Sequence, residues 1–159
     1  MNVLQWLISG GGKAAIQHSA SVPFQILGFE DILEIQKQLG QGSGSGSGSY
    51  IMINTMSLTD QEILICRTTS AKDEESILNE LLDAYHTDKV RIVIYGRNSG
   101  DVSVFVKYDQ IKKLGFTNVS IYLGGLFEWL LLQDIYGADT FQTTVKCSDM
   151  LKFCHKRMI

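Results

Sequence analysis

Hydrophobic positions along this chain fall into short continuous runs separated by helical stripes. The clearest run is Val90–Tyr95 (VRIVIY), in which apolar β-branched residues follow one another with little alternation. A run of this kind is typical of a central parallel strand that is covered on both faces. Three weaker runs predict further strands, at Tyr50–Ile53, Ile63–Cys66 and Val119–Tyr122.

The stripes between these runs predict four helices. They cover Phe29–Leu39, Ser70–Tyr85, Ser103–Leu114 and Gly125–Leu132. In the second helix the apolar stripe consists of Ile77, Leu78, Leu81, Leu82 and Tyr85. In the third helix the inward positions are Val104, Tyr108, Ile111 and Leu114. Because strands alternate with helices, we expect an α/β fold whose parallel sheet carries helices on both faces.

An alternating Gly/Ser segment, Gln41–Ser49 (QGSGSGSGS), forms the clearest internal boundary. Such a segment adds no side chains to a core and behaves as flexible coil. Its regularity is more typical of an engineered linker that replaces a loop than of a natural turn, and a natural low-complexity loop is the alternative. We divide the chain into an N-terminal arm of unknown role (residues 1–23), one domain (24–145) and a C-terminal helix or tail (146–159).

Composition restricts the classes of function. The 159 residues are 45% hydrophobic and 19% charged, an ordinary globular balance. A formal charge of −3 argues against a nucleic-acid partner, since phosphate contacts need clustered Lys and Arg. The one basic cluster, at residues 152–157, is expected to be a solvated tail. No apolar run reaches the ~18–20 residues that cross a bilayer, so no membrane partner is expected. Three cysteines give no disulfide framework and predict a reduced, cytoplasmic protein.

The second half of the domain contains an ordered set of motifs. Val90–Tyr95 precedes the polar loop GRNSGD (Gly96–Asp101), a helix that ends in LGF (Leu114–Phe116), the strand NVSIY and the segment GGLFEW (Gly124–Trp129). This order resembles the C-terminal half of a rhodanese-like domain, the sulfurtransferase fold, and the resemblance extends over about residues 24–145. It implies a central parallel five-stranded sheet flanked by helices on both faces.

The resemblance also implies where catalysis would occur. In active members, the loop after this strand carries a nucleophilic cysteine, and the N–H groups of the loop stabilise its thiolate or persulfide. This chain has no cysteine between Cys66 and Cys147. A further strand, which in the family ends in Asp and Arg, ends here in Asn54 and Thr55. The resemblance therefore implies the fold without the nucleophile.

The candidate site is the loop equivalent to that active site. It comprises Gly96, Arg97, Asn98, Ser99, Gly100, Asp101 and, at the start of the next helix, Ser103. The position of the nucleophile falls on Gly96 when counted from the strand. It falls on Asn98 when counted back from Gly115, and neither residue is a nucleophile. We therefore assign no catalytic residue.

Other loop residues offer little chemistry in the sequence. Ser99 and Ser103 carry hydroxyls, but no base lies beside them. Arg97 comes at the start of the loop, whereas a substrate clamp would lie at its end. The simplest expectation is that Arg97 and Asp101 solvate or brace the loop, through an ion pair that contributes under ~1 kcal/mol of stability if it is exposed. The loop N–H groups and the following helix N-terminus could still cradle an anion.

The cysteines outside the loop are expected to be structural. Cys66 ends a predicted strand, where a buried thiol packs as a small hydrophobe. Cys147 and Cys154 are seven residues apart, a spacing that places both on one face of a C-terminal helix. Their spacing does not match that of zinc ligands, so we predict no metal site and no cofactor.

Two functions of different classes follow from these residues. The first is a catalytically inactive rhodanese-like pseudoenzyme that acts as a binding or regulatory module, with a protein partner or a small anion at the loop. The alternative is an enzyme, a sulfurtransferase or a related phosphatase-like protein, whose loop cysteine was lost or engineered away. The enzyme would require either that Cys66 reaches the loop or that a loop cysteine has been removed by engineering. The missing cysteine favours the first function.

Overall fold

The computed structural model describes residues 24–40 and 49–156. The predicted N-terminal arm (1–23) and the Gly/Ser residues 41–48 lie outside the described residues, as do residues 157–159. The proposed division of the chain into arm, domain and tail therefore stays a prediction.

A parallel sheet forms the centre of the described fold. Its strands are β1 (Ile26–Leu27), β2 (Tyr50–Asn54), β3 (Arg91–Tyr95) and β4 (Asn118–Tyr122), in the order β1-β4-β3-β2. Every neighbouring pair is parallel. The predicted run at 90–95 thus forms β3, one of the two inner strands, and its last four residues are all buried. Continuous apolar sequence is needed there because helices cover both faces of the strand.

Four helices cover the two faces of this sheet. They are α1 (Phe29–Gly40), α2 (Ala71–Asp83), α3 (Ser103–Lys113) and α4 (Gly125–Tyr136). On one face, α1 and α4 pack over the sheet with Trp129 completely buried, and on the other α2 and α3 bury Leu78 and Tyr108. Ser70 caps α2, since its hydroxyl accepts the N–H of Asp73. The predicted α/β fold with helices on both faces is confirmed.

Two local predictions are wrong. Ile63–Cys66 is a loop, and the short strand β1 was not predicted; the described sheet has four strands, where the resemblance implied five. Leu64 and Ile65 are buried and Ile63 and Cys66 are half-buried, but the backbone N–H groups of the segment do not bond to a neighbouring strand of the sheet. The N–H of Ile65 donates to Tyr95 Oη at 3.2 Å, and Ile65 forms only an isolated bridge with Thr143. Tyr85 does not join the stripe of α2, because the helix ends at Asp83 and Tyr85 is 88% exposed with a positive φ.

The C-terminal segment packs against the domain. Met150–Phe153 forms a short 3₁₀ helix that begins at Asp149, whose side chain accepts the N–H of Leu151, and ends where Cys154 becomes extended. The ring of Phe153 is 1% exposed and belongs to the core beneath α4. Because a 3₁₀ turn separates them, Cys147 and Cys154 do not share a helix face, which corrects that prediction.

Among the described residues, no helix is both long and apolar enough to span a membrane.

Candidate functional site

The loop Gly96–Asp101 leaves the carboxyl end of β3 and leads into α3. In parallel α/β sheets this edge is where ligands are usually bound, because the loops that join strands to helices converge there. The structure therefore places the predicted site residues at a position suited to binding.

Asp101 closes this loop. Its Oδ2 accepts the N–H of Arg97 at 2.9 Å, and its Oδ1 accepts the N–H of Ser103 at 3.0 Å. The hydroxyl of Ser103 lies 2.5 Å from the same Oδ1 and 2.6 Å from Thr55 Oγ1. One carboxylate thus joins the start of the loop to the first turn of α3. Hydrogen bonds to an ionised acceptor are stronger than neutral ones, so this contact holds the loop in shape.

Asn98 is the buried polar residue of the loop, at 8% exposure. Its Oδ1 accepts the N–H of Gly100 at 3.0 Å, and its Nδ2 donates to the carbonyl oxygen of Phe153 at 2.8 Å. Both halves of the amide are therefore bonded, one inside the loop and one to the C-terminal segment. Ser99 at the tip is exposed.

Arg97 does not pair with the side chain of Asp101, as had been considered from the sequence. Its guanidinium forms an ion pair with Asp60 at 2.9 Å and donates to the carbonyl oxygen of Lys152. Its Cζ also lies 5.6 Å from the centre of the Phe153 ring. Arg97 therefore binds the C-terminal segment through a carbonyl and an aromatic face.

Three glycines let other parts of the chain approach the loop. A Cβ at Gly96 would lie 2.5 Å from Asp101 Oδ2, and one at Gly100 would lie 2.4 Å from His155 Nδ1. Gly125 has a φ of +66°, and a Cβ there would lie 2.7 Å from the carbonyl oxygen of Gly96. Of the positions considered for a nucleophile, only Asn98 already accommodates a side chain.

A cavity of about 450 Å³ opens beside the loop. Its lining includes Thr55, Ser57, Arg97 and Ser103. It also includes Cys154 and His155, brought there by the C-terminal segment. Cys66 lines a different cavity, beside α4, so the prediction that Cys66 would be the thiol to reach the loop is not supported.

The residues that sequence reasoning missed lie outside the loop. Phe153, His155 and Asp60 all contact it, and the basic tail expected to be solvated lies against it through Lys152. No local sequence pattern predicts such contacts, because about fifty residues separate the loop from the tail. The run MLKF (residues 150–153), with an aromatic after a basic residue, is a signal that could have pointed to them.

Two buried tyrosines end the central strands below the loop. Burial raises the pKa of Tyr95, against the opposing hydrogen bonds of Thr68 and Ile65. Burial, followed by the carboxylates of Glu128 and Glu30, raises the pKa of Tyr122. The Tyr122 hydroxyl forms no hydrogen bond that satisfies distance and angle criteria with the described residues. The Glu128 carboxylate is nevertheless near enough to raise the pKa of this hydroxyl. Both phenols are therefore neutral in the core and do not act as bases at neutral pH.

The sequence profile of the family described as "Rhodanese-like domain" matches residues 53–132, just over half of the chain. This range contains the whole loop and the paired glycines Gly124 and Gly125 at the start of α4. No curated protein sequence matches the chain.

Two solved structures are similar to this chain. The BH2092 protein from Bacillus halodurans is similar with a TM-score of 0.50 and 15% identity, over 72% of this chain and 74% of that one. The yeast (Saccharomyces cerevisiae) single domain sulfurtransferase RDL2 has a TM-score of 0.49 and 15% identity, over 77% and 98% of the two chains. At such identity the likeness concerns the fold alone.

Replacing Asp101 with Asn tests whether its carboxylate closes the loop. Each oxygen of the Asp101 carboxylate accepts a backbone N–H, so the NH₂ group of an Asn at this position would face an N–H donor in either orientation of the amide. We therefore expect the free energy of unfolding to fall by about 1–3 kcal/mol. Urea unfolding measures it. The control is Asp109→Asn on the exposed side of α3, which should change stability by less than about 0.5 kcal/mol. Equal effects at the two positions would contradict the assigned role of Asp101.

Proposed function

The chain belongs to the rhodanese-like domain family, and from this premise we propose that it is a binding module that does not transfer sulfur through its loop. Sulfur transfer in this fold requires a thiolate that becomes a persulfide, and residues 96–101 contain no nucleophile. A reduced, cytoplasmic setting is part of the proposal, since all three cysteines are free.

The proposal rests on one observation, which is that backbone N–H groups in and beside the loop donate to side chains of the same chain. In a catalytic loop, backbone N–H groups point at a sulfur or at a bound anion. Here the N–H groups of Arg97 and Ser103 donate to Asp101, and that of Gly100 donates to Asn98. These donors already have acceptors within the chain, so they are not free for an incoming substrate.

The same contacts favour a protein partner over a small anion. An anion at the loop would meet the negative charge of Asp101, and it would have to replace hydrogen bonds that already exist. A peptide main chain carries neutral carbonyl oxygens. The side chains of Arg97 and Asn98 already donate to two such oxygens, those of Lys152 and Phe153.

The C-terminal segment indicates what a partner would offer. It presents a basic residue, an aromatic ring and two consecutive carbonyl oxygens to the loop. The Lys152 ammonium lies 3.9 Å from Asp60 Oδ1, and the Phe153 ring fills the space beneath the guanidinium of Arg97. We therefore infer that the module recognises an extended protein segment with an aromatic residue after a basic one. Such a segment would compete with residues 150–155 for this surface.

Peptide rescue tests this recognition. Phe153→Ala removes the buried ring and should destabilise the chain by about 3–5 kcal/mol. A synthetic peptide of residues 149–156 (DMLKFCHK) should then raise its Tm, increasingly with concentration, because ligands that bind only the folded state stabilise it. Differential scanning fluorimetry measures the shift, and Phe153→Leu serves in parallel as a milder variant.

Two controls make the rescue specific. The peptide with Ala in place of its Phe should give no shift. Adding Arg97→Met to the Phe153→Ala chain should also abolish the shift, since the guanidinium that donates to the carbonyl oxygen of the lysine is gone. Rescue that does not depend on Arg97, or equal rescue by both peptides, would contradict recognition at the loop.

A sulfurtransferase remains the second candidate because Cys154 lines the loop cavity. The Cys154 thiolate would attack the outer sulfur of thiosulfate, forming a persulfide and releasing sulfite. Cyanide would then take that sulfur as thiocyanate and regenerate the thiolate. This function needs a thiol supplied by the C-terminal segment in place of one in the loop.

A thiosulfate:cyanide assay separates the two candidates. We expect no thiocyanate above the blank rate and no cysteine that gains a sulfur atom by mass spectrometry, because the loop lacks its nucleophile. Turnover that is lost in Cys154→Ser and kept in Cys66→Ser would establish the second candidate. Turnover kept in both variants would contradict both functions as they are described.

A further inference from the structure

A stripe of apolar side chains lies on the outer side of α3. Val102, which precedes the helix with helical backbone angles, is 72% exposed, and Val106, one turn later, is 57% exposed. Phe105, beside Val106 in the sequence, is half-buried. Because residues three and four positions apart lie on the same side of a helix, Val102, Phe105 and Val106 form one continuous stripe.

Phe24, the first described residue, lies against this stripe. Its ring meets the rings of Phe105 and Tyr108 edge to face, and the ring centroids are 5.0 Å apart in both pairs. Phe24 is nevertheless 40% exposed, so these contacts cover only part of its ring. The surface formed by Phe24, Val102, Phe105 and Val106 is called the α3 patch below.

The sequence before Phe24 contains an apolar segment. Residues 3–8 (VLQWLI) carry five hydrophobic side chains and no charged one. Residues 9–23 join this segment to Phe24. A connection of that length can span up to roughly 50 Å, whereas the stripe on α3 covers little more than one helical turn, about 5–6 Å. The segment can therefore reach every part of the α3 patch, to which Phe24 already leads.

The connection also favours this segment over a second copy of the chain as the occupant of the patch. A segment joined to its target by a short stretch of chain has an effective concentration on the order of millimolar, which a second copy reaches only in concentrated solution. Another set of exposed apolar side chains, Leu131, Ile135 and Tyr136, belongs to α4. That helix packs on the other face of the sheet, so Phe24 does not lead to it.

We propose that residues 3–8 dock on the α3 patch of their own chain. Docking removes Val102 and Val106 from water together with the apolar side chains of the segment, which is favourable in proportion to the area buried. It also shields a surface that would otherwise promote association between copies. This role for the N-terminal residues is independent of the function proposed for the loop.

Acrylamide quenching of tryptophan fluorescence in the full chain tests the docking. The chain contains two tryptophans, and Trp129 is completely buried. A Trp6→Phe variant therefore gives the signal of Trp129 alone, and subtraction gives that of Trp6. We expect Trp6 to be quenched several-fold less efficiently than free N-acetyltryptophanamide. Val106→Asp should raise the quenching of Trp6 to that of the free compound, because an unpaired carboxylate resists burial against an apolar segment.

Ile135→Asp is the matched control, since Ile135 is 70% exposed on α4. It should leave Trp6 protected. Circular dichroism of each variant identifies loss of fold, and Val106→Ser repeats the test if Val106→Asp unfolds.

Three results would overturn the proposal. Trp6 could be fully quenched in the unchanged chain, its protection could survive the substitutions at Val106, or its protection could be lost in Ile135→Asp. Protection that falls on dilution would also overturn it, because the patch would then be covered by a second copy. None of these outcomes affects the binding function proposed for the loop.

Discussion

The carboxylate of Asp101 is the contact on which the rest of the site depends. It receives the N–H groups of Arg97 and Ser103 from either side of the loop, and so sets the path of the chain between β3 and α3. That path brings the carboxylate against Gly96, where no Cβ fits. It also leaves Asn98 and the Arg97 side chain able to reach the carbonyl oxygens of the C-terminal segment.

The same loop donors can serve either of two purposes. Backbone N–H groups at the amino end of a helix attract negative charge, whether it belongs to a substrate or to the protein. In this chain, the carboxylate of Asp101 and the amide oxygen of Asn98 accept these N–H groups in place of a substrate. The sheet and helices are those of the family, and at this edge the loop holds residues 152 and 153 of the same chain through their carbonyl oxygens. The absence of a cysteine from residues 96–101 and the closure of the loop are consistent with each other.

Much of the fold could be predicted from local sequence because its signals are local. β3 is a continuous apolar run, and α3 has buried residues at Val104, Tyr108 and Ile111, so each element carries its own pattern. Ile63–Cys66 was misassigned because burial of its side chains looks the same in a strand and in a packed loop. The N–H groups of Leu64, Ile65 and Cys66 donate instead to Thr144 Oγ1, Tyr95 Oη and the carbonyl oxygen of Gln142. All three acceptors lie thirty or more residues away, so no local pattern could reveal them.

The place of the loop in the fold, between β3 and α3, could be predicted from the sequence, but its contacts with the C-terminal segment could not. The loop residues 96–101 were identified from their place after β3. The docking of Phe153 and His155 on that loop depends on long-range packing that has no period in the sequence. The same is true of the placement of Cys154 at the loop and of Cys66 in another cavity, which depends on how two distant segments cross.

Amide hydrogen exchange of the loop, followed by NMR, tests the closed loop most directly. If Asp101 and Asn98 hold it shut, the N–H groups of Arg97, Gly100 and Ser103 should exchange at least about 100-fold more slowly than unprotected amides. The N–H of Ser99, at the exposed tip, makes no hydrogen bond to the described residues and should exchange quickly in the same sample. Fast exchange at all four positions would show that the loop is open in solution and would contradict the account.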